Sequence, residues 1–196
     1  MKKPENVIMH FENNNTAENH QLCAKCNGGC CRHYSGAYGP WQLFDNPEDI
    51  TPEAIANLLK KTEEYVLDCY EGYSEEHDNG WFIRPPHKPN VPWAGSPFEM
   101  DMFGLEALML FKDMFGLNDG DNPYVDRSFG GECIHFVDKV GCKLSYDERP
   151  VMCQALVAEE NQQCANGFGK KVAADWWSEY HHIIDKALDL LDDEND

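Results

Sequence analysis

The chain has 196 residues, with 35 Asp and Glu against 16 Lys and Arg and a formal charge of −19. That length fills one domain and buries about 70% of the unfolded surface, enough for a self-sufficient core. The charge would repel a phosphate backbone and no basic stripe offsets it, which argues against nucleic acid as a partner.

No run of about 18 apolar residues could cross a membrane, and Met1–Ala17 holds no apolar signal core. The expectation is a cytoplasmic protein without a membrane partner, where nine cysteines do not make a disulfide framework. Three regions are expected: a mobile N-terminal arm over 1–20, a cysteine-cluster domain over 21–169, and a C-terminal amphipathic helix with an acidic tail over 170–196.

The arm is polar, Asn-rich and without period. Directly after it, Cys23-x2-Cys26-x3-Cys30-Cys31 puts four thiols in nine residues. Thr51-Pro52 predicts a helix start, with Ile55, Leu58, Leu59, Thr62, Val66, Cys69 and Tyr70 on one helical face. Cys69 belongs to that apolar stripe and is the odd thiol, a core residue. From Trp81 to Trp93 the prolines exclude helix and central strand, so this segment is expected to run extended across the surface or over the metal region.

Ser96-Pro97-Phe98-Glu99 has capping-box order and predicts an apolar core helix from Met100 to Phe115, its methionines serving packing. Asn118-Asp-Gly-Asp-Asn122 lacks the ligand alternation of a calcium loop and reads as a turn. Glu132–Val137 and Gly141–Leu144 flank a reversal and predict a hairpin that brings Cys133 near Cys142. Pro150 suits the first turn of a helix reaching about Glu160, and residues 172–191 carry a final amphipathic helix. The expected fold class is α+β and mostly helical, with helices packed beside a small β-hairpin and a loop-rich cysteine metal site.

Cys-x2-Cys turns two sulfurs toward one ion, and thiolates suit zinc or iron–sulfur clusters while disfavouring magnesium and calcium. The adjacent side chains of Cys30 and Cys31 diverge, which implies two centres or one polynuclear centre. Four more cysteines follow at spacings of eight, ten and ten intervening residues: Cys133, Cys142, Cys153 and Cys164. His33 and His135 stand close enough in sequence to replace a sulfur, and both are read as nonligands.

Together, Cys23-x2-Cys26-x3-Cys30-Cys31, Gly131-x-Cys133, Gly141-Cys142, Arg149-Pro150-x2-Cys153 and Cys164-x2-Gly167-x-Gly169 resemble the YkgJ-like cysteine-cluster proteins, a family described as chelating zinc or iron. The resemblance runs over about Leu22–Gly169 and implies metal ligation by Cys23, Cys26, Cys30, Cys31, Cys133, Cys142, Cys153 and Cys164, with Cys69 outside the pattern. Gln154 departs from it, since many relatives carry arginine there. Arg149 is expected to offset thiolate charge, and Cys153 to gain from a helix N-terminus.

The leading functional reading is a cytosolic metal-binding protein, holding iron–sulfur or Zn2+ on eight cysteines in a redox or accessory role. The adjacent cysteines place iron–sulfur narrowly ahead. One alternative is a structural zinc module that presents the Pro-rich segment or Trp176-Trp177 to a protein partner. Another is a metal-dependent modifying enzyme with Arg84, His87 or His135 lining a pocket. No Ser-His-Asp spacing, His-Glu-x2-His or phosphate loop supports a catalytic assignment.

Overall fold

The computed structural model describes residues 1–14, 21, 31, 35–88, 122–126, 131–138, 140–157 and 168–193. Among them are six α-helices and two separate two-stranded antiparallel sheets, an α+β arrangement. The helices are α1 (Glu5–Asn13), α2 (Pro40–Leu43), α3 (Pro52–Leu59), α4 (Val151–Gln154), α5 (Lys170–Trp176) and α6 (His181–Asp193). The expected Met100–Phe115 helix, its capping box and nearly all of the 118–122 turn lie outside the described residues.

The larger sheet pairs β1 (Val66–Glu71) with β2 (Asn79–Arg84), so that Val66 faces Arg84 and Cys69 faces Trp81. Neither outer edge is bare. Tyr38 bridges Ile83 beside β2, while the Leu67 N–H donates to the Tyr124 carbonyl and the Asp126 N–H to the Leu67 carbonyl, both at 2.8 Å. Helix α5 packs over both strands, and α6 packs on α3 and β2. Ile55, Leu59, Ile184 and Leu191 are fully buried in the α3–α6 region, where each apolar side chain contributes about 1.5–3 kcal/mol relative to exposure.

The expected long helix from Thr51 is corrected. Thr51 caps α3 through its Oγ1, which accepts the Ala54 N–H at 3.2 Å, but α3 ends at Leu59. The run from Val66 continues the helical spacing only by coincidence: its residues pair with Trp81–Arg84, and this tertiary pairing overrides the local period. Cys69 is buried in the core, on a strand rather than a helix.

The exclusion of a central strand after Trp81 is corrected as well, because the prolines begin only at Pro85, once β2 has ended. Beyond β2 the chain runs on against the segment that carries Cys133. The Lys88 N–H donates to Glu132 at 2.7 Å and the Ile134 N–H to Pro86 at 3.0 Å.

The N-terminal stretch read as aperiodic contains α1, whose Val7 and Phe11, four residues apart, pack on the core. Its His10 Nε2 lies 2.8 Å from the Ala155 carbonyl. The expected helix to Glu160 is a single turn, α4, which ends at Gln154. The C-terminal helix is broken at Trp177, which is wholly buried and donates its indole N–H to the Tyr38 carbonyl at 2.9 Å. Fixing that ring bends the chain through a short 3-10 turn, Ser178–Tyr180, between α5 and α6.

Arg84 is the largest buried charge. It has no solvent exposure; its Nε lies 2.8 Å from Asp68 and its Nη2 2.7 Å from Asp126, and Nη1 donates to the Ser35 hydroxyl and the Pro85 carbonyl at 3.0 Å. Lys170 reaches the same Asp68 at 3.0 Å from a position 31% exposed. Two carboxylates meet two cations, so the group is neutral in sum. Removing one buried partner leaves an uncompensated charge, and Arg84→Met should cost about 3–5 kcal/mol. Lys170→Met, at the wet edge, should cost under about 1 kcal/mol. Urea denaturation of both variants measures the contrast.

His181 is also fully buried, and neither ring nitrogen has a partner at hydrogen-bonding geometry, although backbone at Trp81 and Ala174 lies near. Burial holds its pKa below the usual 6.5, and His77 adds to the effect. Above 6.5 the ring is neutral in both the folded and unfolded chain; below it the unfolded chain takes up the proton first, so stability should fall as pH drops. Burial shifts His87 and His135 in the same direction. His181→Phe should make the unfolding midpoint in urea less sensitive to pH between pH 7.5 and 5.5.

Candidate metal centre

The smaller sheet is the expected hairpin, β3 (Phe136–Val137) with β4 (Gly141–Cys142), in which Phe136 faces Cys142 and Val137 faces Gly141. Gly141 has φ +95, a left-handed backbone that favours glycine at the entry to β4. The Lys143 N–H closes the pair on the His135 carbonyl at 2.9 Å. Cys133 and Cys142 are thereby held on facing arms of one turn.

Each of these sulfurs accepts a backbone N–H from two residues further on. His135 donates to Cys133 Sγ at 3.5 Å, and Leu144 donates to Cys142. Such N–H to sulfur bonds favour thiolate and tune a metal centre bound through it. The two thiols nevertheless differ. Burial pushes Cys133 up to about 11, with His135 opposing and the neighbouring Cys142 adding to the rise. Cys142 is pushed down to about 6, first by a hydrogen bond from Cys31, against the effect of burial, and then by the Leu144 N–H and the Arg149 guanidinium.

Cys31 is the described member of the front group, and it reaches the rear group twice. Its side chain meets Cys142, and its carbonyl accepts the Cys133 N–H at 2.8 Å. Cys153, half-buried on α4, packs its sulfur against Gly36: a Cβ there would lie 2.7 Å from it, so only glycine leaves room. A one-turn helix offers Cys153 little of the expected dipole. Arg149 acts on Cys142 instead.

Cys23, Cys26, Cys30, Cys164 and His33 lie outside the described residues. Among the described residues no three Cys, His, Asp or Glu side chains stand at metal-holding distance. Cys31, Cys69, Cys133, Cys142 and Cys153 are all free of disulfides. The donor set near Cys142 is all sulfur, with N–H donors and a guanidinium around it, which suits a thiophilic metal.

Two supports escaped the sequence reading. His87 bridges Cys133 across a backbone pair, and its Nδ1 lies 3.1 Å from Asp126, so the Arg84 network stands directly behind the cysteine hairpin. Gly131 passes so close to the His87 ring that a Cβ would come within 2.8 Å of it, a physical reason for glycine in Gly131-x-Cys133. Gln154 is the second support. Its amide donates to the carbonyls of Tyr146, Asp147 and Arg149, and its own carbonyl accepts the Tyr146 hydroxyl. The position marked as lacking an arginine thus organises the loop that carries Arg149. An amide with two donors beside a Pro150 helix start was the available signal.

No family model, curated protein or solved structure matches the chain. The family resemblance therefore rests on the cysteine and glycine pattern itself.

In metal-free protein, alkylation of Cys142 should show half-titration near pH 6, while Cys133 stays inert to about pH 9. Arg149→Met should move the Cys142 midpoint upward. Iodoacetamide labelling mapped by mass spectrometry reads both thiols in one experiment.

Proposed function

We propose that this chain is a metal-binding protein of the YkgJ-like cysteine-cluster type, acting in the cytoplasm and holding iron–sulfur or zinc on Cys23, Cys26, Cys30, Cys31, Cys133, Cys142, Cys153 and Cys164. The observation that supports this reading is the meeting of Cys31 with Cys142, one thiol from each end of the cysteine pattern. Thiols separated by so much sequence gain little from ordinary packing at such a spot, and a shared ligand accounts for them economically. No helix among the described residues is long and apolar enough to cross a membrane, which is compatible with the location.

When bound, an iron–sulfur cluster would supply one-electron transfer, whereas zinc would supply a structural crosslink. The chain's own part is to prepare the sulfurs. The N–H groups of His135 and Leu144 and the Arg149 guanidinium offset thiolate charge, while the wall around Cys133 keeps water from that sulfur. The interaction-module alternative loses one of its two surfaces, because Trp176 and Trp177 are core residues.

Iron, zinc and acid-labile sulfide measured together on anaerobically purified protein test the proposal. Bound metal should fall sharply in Cys142→Ser and stay at full stoichiometry in Cys69→Ala, which should lose only about 1–2 kcal/mol of packing. Metal-free protein under anaerobic isolation, or loss of metal in Cys69→Ala, would sink the assignment.

A further inference from the structure

Beside the cysteine hairpin opens a cavity of about 620 Å3, within the size range of small-ligand sites. One wall is aromatic, formed by the Tyr38 and Tyr65 rings with centroids 5.8 Å apart and planes inclined at 56°. The rim is acidic. Glu63, Glu64, Asp147 and Glu148 line it against a single cation among the described residues, Lys143. Glu148 is engaged by the Ser145 hydroxyl at 2.7 Å, but Glu63, Glu64 and Asp147 have no ion-pair partner among the described residues.

The half-buried His135 ring lines the cavity as well. Aromatic faces attract ammonium and guanidinium groups, and carboxylates accept their hydrogen bonds. A neutral apolar ligand would leave the carboxylates without use, and an anion would be repelled.

We propose that this cavity binds an organic cation, a primary ammonium or guanidinium group, held between the Tyr38–Tyr65 wall and the carboxylates of Glu64 and Asp147. The site does not depend on the metal assignment, since none of these four residues is among the proposed ligands. The guanidinium or ammonium arrives either on a free small molecule or on a basic side chain of a peptide, and the same chemistry recognises both.

Calorimetric titration of the protein as purified, at about 0.15 M salt to screen general attraction, tests the proposal with butylguanidinium, butylammonium and neutral 1-butanol. One of the two cations should bind with 1:1 stoichiometry, and the alcohol should not. Glu64→Gln and Asp147→Asn should each weaken binding about fivefold, whereas Glu12→Gln, an exposed acid on α1, should change it less than about twofold. All three carboxylates are exposed, so these variants keep the fold. A capped Gly-Arg-Gly peptide that binds more tightly than butylguanidinium identifies a protein side chain as the source; the reverse order identifies a free small molecule. Equal binding of 1-butanol, no saturable binding of either cation, or equal weakening by Glu12→Gln would overturn the proposal.

Discussion

A guanidinium sealed from water must be neutralised in place, and the satisfaction of Arg84 constrains much of this molecule. Its partners come from separate stretches of chain: Asp68 on β1, Asp126 beside β1, and Ser35 on the segment leading from the front cysteines. Asp68 or Asp126 could not shift without weakening the compensation of a buried charge, and Ser35 could not without costing Arg84 a hydrogen bond. His87, bonded to Asp126 and paired with Cys133, carries the same constraint into the cysteine hairpin. The position of Cys133 is therefore set by an ion network as well as by its own turn.

The parts of the fold that were legible in the sequence are those fixed by local chemistry. Thr51-Pro52 starts a helix because a hydroxyl cap and a preset φ act within one turn, and the hairpin around Gly141 forms because glycine admits its backbone. Where the sequence misled, a distant partner had decided the outcome. Val66–Glu71 satisfies a helical period and still becomes a strand, because Trp81–Arg84 pairs with it. The break at Trp177 likewise depends on the carbonyl of Tyr38, which no local pattern discloses.

For the candidate site, the sequence identified residue types and left their environments open. Cys133 and Cys142 were expected to be neighbours, and the hairpin makes them so. Their opposite acidities were not legible, since burial raises one while Cys31 and Arg149 lower the other. Gln154 was noted only for the arginine it replaces, yet its amide ties three carbonyls of the Arg149 loop. The aromatic and acidic cavity escaped notice because Tyr38, Tyr65 and Asp147 share no motif in the chain.

The contact between Cys31 and Cys142 also has a temporal side. Cys142 follows Cys31 by more than a hundred residues, and a ribosome adds about 5–20 residues per second. The front thiols therefore leave the ribosome on the order of ten seconds before the sulfur that Cys31 will meet. Throughout that interval no rear sulfur and no Arg149 charge is at hand. Biosynthesis thus leaves Cys31 without its folded-state partners until the hairpin is complete.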